Sequence, residues 1–247
     1  MSPVRLGPSI GLLTQVMLLV ALACTVGLTV SGWLLGIACG IATNVALARG
    51  LDRYGTNALG PADRVTLVRA TLVGAAAALT ADAFVRPVTA PTLVTLSVVA
   101  LVLDAVDGWV ARRTGTVSPL GARFDGEVDA LLILVLSVYV SNLIGPWALA
   151  IGAARYLFLV AGWLVPWMRA PLPPRYWRKT VAAIEGITLT VAAADVLPRR
   201  LAEVVLVVAL GLLTESFGRD VWWLRRESVR SPVNAQGRSI AASVMRH

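Results

Sequence analysis

The chain has 247 residues, of which 57% are hydrophobic and 15% charged, with a mean hydropathy of +0.76. This composition lies outside the range of soluble globular proteins, so it predicts an integral membrane protein and argues against soluble enzyme classes. The net charge of +8 is distributed in short basic segments between apolar runs, which favours topology signals and contact with membrane lipids over a nucleic-acid partner.

Two apolar runs, at residues 9–31 and 32–49, open the chain. A helix that crosses a bilayer needs about 20 mostly apolar residues. We therefore predict that residues 1–50 form two N-terminal transmembrane helices. The polar and glycine-rich stretch 51–63 follows and is predicted to be a juxtamembrane segment, with Pro61 early in the helix that begins at its end.

Six further apolar runs follow, at residues 65–84, 92–111, 120–143, 146–168, 180–197 and 201–217. The sequence thus predicts an all-α, multi-pass transmembrane helical bundle with eight spans. Residues 51–218 are predicted to form its core. The basic tail 219–247 contains Trp222 and Trp223, and we expect it to lie at the membrane interface and then to be disordered.

The distribution of basic residues predicts the orientation. If the N-terminus is cytoplasmic, the loops between the eight spans leave only Arg86, Arg199 and Arg200 on the opposite side. The inside then holds the basic tail and Arg49, Arg53, Arg64, Arg112, Arg113, Arg169, Arg175, Arg178 and Lys179. The loop between the fourth and fifth runs then lies at the cytoplasmic face of the cell membrane. The abundance of alanine, glycine, valine and leucine, with a single lysine, is typical of a bacterial source.

Four aspartates lie inside or beside the fourth and fifth apolar runs. Asp104 and Asp107 are three residues apart, and Asp125 and Asp129 are four apart. On helices, each spacing places both carboxylates on one face. Because a carboxylate in a bilayer is costly, acids at such positions indicate function. Two helices that each offer a pair of oxygen ligands predict a site for divalent cations, which commonly bind substrate phosphates as well.

Other interpretations of the acidic residues stay open at this point. The aspartates could be structural and paired with Arg112, Arg113 and Arg123. They could form the site of an ion-coupled transporter, although such sites lie near the bilayer midplane on broken helices, whereas these acids surround one loop at a membrane face. A non-catalytic membrane scaffold that keeps a cation site is the third interpretation.

The acidic stretch reads Asp104-x2-Asp107-Gly108-x2-Ala111-Arg112-x8-Gly121-x3-Asp125-x3-Asp129. At every defined position it resembles the motif of the CDP-alcohol phosphotransferase family. The resemblance implies the family's six-helix core over about residues 58–217, with two extra N-terminal spans. It also implies an enzyme that transfers a phosphatidyl or other phospho-alcohol group from a CDP-alcohol, with CDP-diacylglycerol favoured, to a hydroxyl acceptor with release of CMP.

The resemblance also implies roles for individual residues. Asp104, Asp107 and Asp125 would be the main ligands of two Mg²⁺ or Mn²⁺ ions. Asp129 would be the general base that takes the proton of the acceptor hydroxyl, and a metal ligand as well. The nucleotide-binding residues would be Asp63, Thr66, Arg69, Gly108, Ala111, Arg112 and Gly121. Asp63 stands where the family usually has asparagine.

The acceptor contacts are implied by the same resemblance. Arg155 and the pair Lys179 and Thr180 occupy places comparable to the acceptor-binding residues of family members that use glycerol phosphate or inositol phosphate. A phosphorylated polyol acceptor is therefore favoured. Two departures from the family pattern are Tyr156, where an acid is common, and residues 176–180, which read Tyr-Trp-Arg-Lys-Thr in place of Gly-Lys-x-Lys-Thr.

Several neighbouring charges have simpler interpretations. An ion pair with Glu185 is the alternative for Arg155. Arg175 and Arg178 are interpreted as topology charges. Glu127 lies off the face shared by Asp125 and Asp129, so it is predicted to be a neighbour of the site and not a ligand. Membrane lipids are expected partners, and a homodimer is a further expectation.

Overall fold

The computed structural model describes residues 6–54, 60–88, 90–114, 118–170, 172 and 176–244, with side chains except at 6–8, 111, 112, 114 and 229–244. Within these residues there are helices and no strands, which confirms the predicted all-α class. The α-helices are α1 (Leu6–Thr25), α2 (Val30–Tyr54), α3 (Pro61–Asp82), α4 (Ala90–Thr114), α5 (Pro119–Leu143), α6 (Leu149–Leu164), α7 (Tyr176–Ala193) and α8 (Arg199–Val244). Short 3₁₀ helices, Pro146–Ala148 and Pro166–Arg169, flank α6.

Six described helical segments are long and apolar enough to cross a membrane, which agrees with a multi-pass membrane protein. They are Val30–Tyr54, Pro61–Asp82, Ala90–Val110, Pro119–Leu143, Pro146–Leu164 and Arg199–Ser228. Two of the eight predicted spans do not reach this standard. The apolar part of α1, Ser9–Thr25, is shorter, and α7 carries Arg178, Lys179 and Glu185.

Local sequence explains where α3 and α5 begin. In α3, Pro61 lies in the first turn, and the Asp63 carboxylate accepts a hydrogen bond from the Gly60 N–H at 3.0 Å. In α5, Pro119 again lies in the first turn, and the Ser118 hydroxyl accepts from the Gly121 N–H at 2.9 Å. Both helix starts are therefore fixed by their own side chains.

Helix α3 lies at the centre of the bundle. It packs against α1 and α2 on one side and against α4 and α5 on the other, while α6, α7 and α8 pack around α5 and one another. The buried run from Gly74 to Ala78 lets neighbouring helices approach closely, because small residues keep the backbones near each other. The helix that carries Thr66 and Arg69 is thereby enclosed on nearly every side.

The α1–α2 connection is attached to the end of α3 by a buried charge cluster. The fully buried Asp82 carboxylate accepts hydrogen bonds from the backbone N–H and the hydroxyl of Thr29 and from the Arg86 guanidinium. Arg86 also donates to the carbonyls of Val26 and Gly27, and Gly27 has a φ of +77° that favours glycine. This cluster lies at the opposite end of α3 from Asp63.

Asp82→Asn is expected to destabilise the protein by about 2–4 kcal/mol, because it leaves Arg86 beside a neutral amide that cannot compensate the guanidinium charge. Thermal unfolding of the detergent-solubilised protein measures the loss as a lower Tm. Asp195→Asn is the matched control, since Asp195 is exposed and asparagine tolerates its φ of 52°. Equal Tm values for the two variants would mean that the Asp82 cluster contributes nothing.

The C-terminal segment differs from the predicted disordered tail, since α8 continues without a break to Val244. Asp220 and Leu224 are buried, and Asp220 pairs with Arg178 of α7, with 3.4 Å between the carboxylate oxygen and Nε. Arg226 stacks on Trp222 one turn earlier. These contacts continue the helix beyond residue 218, where the apolar periodicity ends. They also give Arg178 a structural partner, so a topology charge is not its only role.

Candidate active site

The four aspartates of the predicted site converge on one guanidinium. Helix α4 supplies Asp104 and Asp107, α5 supplies Asp125 and Asp129, and α3 supplies Arg69. The terminal nitrogens of Arg69 lie 3.0 Å from Asp104 and 2.7 Å from Asp107, and they also contact Asp125 and Asp129. Arg69 is fully buried. The spacing within each helix thus brings four carboxylates to one point.

The side chains of Arg69 and Thr66 are held in place by hydrogen bonds to other protein groups. The Arg69 Nε donates to the Ala100 carbonyl of α4 at 3.2 Å. The Thr66 hydroxyl lies 3.1 Å from a carboxylate oxygen of Asp107 and 3.2 Å from the Ala62 carbonyl. Both residues were predicted to contact a nucleotide. In the structure they hold the carboxylates, and sequence reasoning did not anticipate Arg69 as the centre of the cluster.

The carboxylate set fits a divalent cation. Ligand oxygens of Asp104, Asp107 and Asp125 all lie within 4.8 Å of one another. Asp107 is buried, whereas the side chains of Asp104 and Asp125 are 38% and 26% exposed and accessible to a ligand. Several hard oxygen donors at one membrane face suit Mg²⁺ or Mn²⁺ better than softer metals. The Arg69 guanidinium and a bound cation would compete for the same carboxylate oxygens.

Gly121 and Asp63 pack together where α5 begins against α3. A Cβ atom at Gly121 would collide with a carboxylate oxygen of Asp63 and lie 3.0 Å from the Ser118 hydroxyl. The glycine therefore serves the close approach of the two helices, and Asp63 caps α3. Both had been predicted to bind nucleotide. Gly108 lies on α4 one residue after Asp107.

Two further predicted nucleotide contacts, Ala111 and Arg112, lie in the last turns of α4. Their side chains are outside the described part of the structure. Arg113, which was an alternative partner for the aspartates, instead stacks on Trp109 of its own helix. The aspartates obtain their described charge compensation from Arg69.

The predicted acceptor residues lie on α6 and α7. Arg155 pairs with Glu127 of α5 at 2.8 Å, so the predicted alternative, a pair with Glu185, is wrong. Lys179 and Thr180 are exposed at the start of α7, and the Thr180 hydroxyl donates to the Tyr176 carbonyl at 3.2 Å. Glu127 was predicted to be a neighbour of the site and not a ligand. Its position on α5, off the face of the aspartates, could have indicated a partner on another helix such as α6.

Glu185 is a buried acid whose Oε1 has no hydrogen-bond partner among the described residues. Burying an unsatisfied polar group costs about 1–3 kcal/mol. Glu185→Leu is therefore expected to raise the free energy of unfolding by about that amount and to raise Tm. Glu203→Leu, on the exposed side of α8, should stay within about 0.5 kcal/mol of the parent. A lower Tm for the Glu185 variant would mean that this acid has a stabilising partner.

The family profile described as CDP-alcohol phosphatidyltransferase matches residues 59–214, more than half of the chain. The chain belongs to this family. CDP-alcohol phosphatidyltransferases are transferases of substituted phosphate groups that act in phospholipid synthesis. The matched residues begin just before α3 and end within α8, so α1 and α2 lie outside the match.

A curated relative within this family is the archaetidylinositol phosphate synthase of Aeropyrum pernix. It is 40% identical over 105 residues, which cover 41% of this chain and 48% of the relative. The match thus spans about half the length of that relative. The relative is archaeal and gives no support to the predicted bacterial source. No solved structure matches the chain.

Proposed function

We propose that the protein transfers a phospho-alcohol group from a membrane-bound CDP-alcohol to a hydroxyl acceptor and releases CMP. The observation that carries this proposal is the convergence of Asp104, Asp107, Asp125 and Asp129 on Arg69 at one end of the bundle. A diphosphate donor needs concentrated positive charge beside a base. Cations held by these carboxylates would supply that charge, and one of the carboxylates can act as the base. The family membership and the multi-pass helices agree with a lipid substrate.

We assign the residues of the cluster as follows. Asp104, Asp107 and Asp125 hold Mg²⁺ or Mn²⁺, with Asp129 as a further ligand if two ions bind. When bound, the ions neutralise the diphosphate and act as Lewis acids. Thr66 and Arg69 of α3 orient the carboxylates through the contacts described above. Two ions would also replace the charge that Arg69 now supplies to the four acids.

Asp129 is the proposed general base. Its side chain is about a third exposed, so an acceptor hydroxyl can reach it from the open side of the cluster. Asp129 takes the hydroxyl proton, and the acceptor oxygen bonds to the phosphorus that carries the donor alcohol. The bond between that phosphorus and the bridging oxygen of CMP breaks, and CMP leaves with that oxygen.

The donor and acceptor are proposed more specifically. CDP-diacylglycerol or a related CDP-linked lipid is the donor, and a phosphorylated polyol is the acceptor. The relative's name supports the choice of acceptor, since it identifies a product that carries phosphorylated inositol. The residues proposed for the acceptor are Arg155, Lys179 and Thr180. The positive-inside distribution supports an active site at the cytoplasmic face.

Release of CMP by the purified full-length protein tests this function. The assay combines CDP-diacylglycerol with Mg²⁺ or Mn²⁺ and, in separate reactions, glycerol 3-phosphate, inositol phosphate, serine or a lipid alcohol. We expect metal-dependent CMP release that is fastest with one of the phosphorylated polyols. If no combination of a CDP-linked lipid and these acceptors gives turnover above a chelator control, the protein is not a transferase of this kind.

A further inference from the structure

On one edge of the Arg155 guanidinium, only one of the two nitrogens has a hydrogen-bond partner among the described residues. A terminal nitrogen on this edge donates to a Glu127 carboxylate oxygen at 2.8 Å. The adjacent Nε is buried and has no hydrogen-bond partner among the described residues. These two nitrogens form the side-on fork that matches two oxygens of a phosphate or carboxylate. An unfilled charged donor is costly, so the edge is suited to a bidentate anion that Glu127 does not provide.

The Glu127 pair is too weak and too exposed to act mainly as a structural link. The Arg155 and Glu127 side chains are 42% and 48% exposed. Half-exposed ion pairs contribute about 0.2–1 kcal/mol. By contrast, Asp220 of the Arg178 pair is almost fully buried. A partner held by so little free energy exchanges readily for a stronger anion.

Gly126 leaves the route between Arg155 and the aspartates open. Successive residues of a helix are rotated by about 100°, so Gly126 lies on α5 between the face of Asp125 and the opposite face of Glu127. Among the described residues, and leaving aside the neighbouring backbone of α5, a Cβ atom at Gly126 would have only the Arg155 guanidinium within 4 Å, at 3.8 Å. The guanidinium therefore borders the glycine surface, and a polyol can pass across it from Arg155 toward Asp129.

We propose that Glu127 is a positioning residue that holds Arg155 until the phosphate of the acceptor takes over both nitrogens of the fork. The ligand class is a phosphate monoester on a small polyol, and Glu127 sets its affinity by competing for Arg155. This inference rests on the proposed function. It adds that the ion pair opens during each binding event and that Glu127 lowers the affinity for phosphorylated acceptors, which need Arg155, more than the affinity for neutral ones.

Steady-state kinetics of Glu127→Gln test the competition. The amide keeps the size of the side chain but loses its charge, so we expect the KM for inositol phosphate or glycerol 3-phosphate to fall about two- to fivefold, the range set by a half-exposed pair. The KM for the CDP-linked donor should change by less than this. Glu203→Gln is the matched control, because Glu203 forms a comparably exposed pair with Arg199 at 3.1 Å.

Each outcome separates the two proposals. An unchanged or higher acceptor KM in Glu127→Gln, with measurable CMP release, overturns the competition and leaves the proposed function standing. An equal fall for an unphosphorylated acceptor such as inositol also overturns it. Gly126→Val provides a second measurement, since blocking the glycine surface should raise the acceptor KM without a comparable change in the donor KM. If neither parent nor variants release CMP, the proposed function itself fails.

Discussion

Asp129→Asn is expected to lower kcat for CMP release by about 10²–10⁴-fold, the usual contribution of a positioned general base. Asparagine has nearly the same shape, but its amide cannot take the proton of the acceptor hydroxyl. Three carboxylates, Asp104, Asp107 and Asp125, still surround Arg69 in this variant. Binding of the CDP-linked donor, measured by calorimetry in the presence of Mg²⁺, should therefore persist while turnover is lost.

The control for this variant is Asp195→Asn, which alters an exposed acid beyond the end of α7. It should keep turnover within about twofold of the parent, since surface changes remote from such sites have small effects. Turnover by Asp129→Asn within threefold of the parent would refute the assignment of the base. Loss of donor binding together with turnover would instead assign Asp129 mainly to the metal or the donor.

Much of the fold follows from local sequence patterns. Apolar runs of sufficient length predicted the spanning helices, and the breakers Pro61 and Pro119 lie at the observed starts of α3 and α5. The α8 tail was less predictable, because its continuation depends on burial of Asp220 against a residue of another helix. Apolar periodicity contains no information about such a charged contact. The ends of the apolar, membrane-crossing part of a helix are thus easier to predict than the ends of the helix itself.

The aspartate cluster was predictable because its information is local. Spacings of three and four residues fix the face of a helix, and two such pairs around one loop must lie near the same end of the bundle. Arg69 was harder to place. It lies on α3, and only the packing of α3 between α4 and α5 brings its guanidinium among all four acids. Its motif position suggested a ligand contact, and nothing in that position reveals four protein partners.

The pair of Arg155 and Glu127 shows a further limit of sequence reasoning. The choice between Glu127 and Glu185 as a partner depends on the rotation of α6 against α5, and both acids are compatible with the sequence. The same holds for the attachment of α1 and α2, which depends on Asp82 at the end of α3 meeting Thr29 in the α1–α2 connection. Contacts between helices that are distant in sequence have no periodic signature.

The second prediction with a large expected effect concerns Arg69. Arg69→Ala should destabilise the protein in the presence of a chelator by about 3–5 kcal/mol, because it leaves Asp104, Asp107, Asp125 and Asp129 facing one another without their buried counter-charge. Thermal unfolding in detergent measures this loss. Arg69→Lys keeps the charge, but one ammonium group cannot span four carboxylates, so its Tm should fall between those of the parent and the alanine variant.

The response to Mg²⁺ or Mn²⁺ distinguishes this site from an ordinary buried ion pair. Removing Arg69 frees the oxygens that a cation needs, so the cation should bind more tightly and raise the Tm of Arg69→Ala by more than it raises that of the parent. Arg86→Ala is the matched control, because it breaks the buried pair with Asp82 at the other end of α3. That variant should lose stability without any added response to the cation. Equal cation-induced shifts in the parent and Arg69→Ala would show that guanidinium and cation do not share these carboxylates, and the metal assignment would then need other ligands.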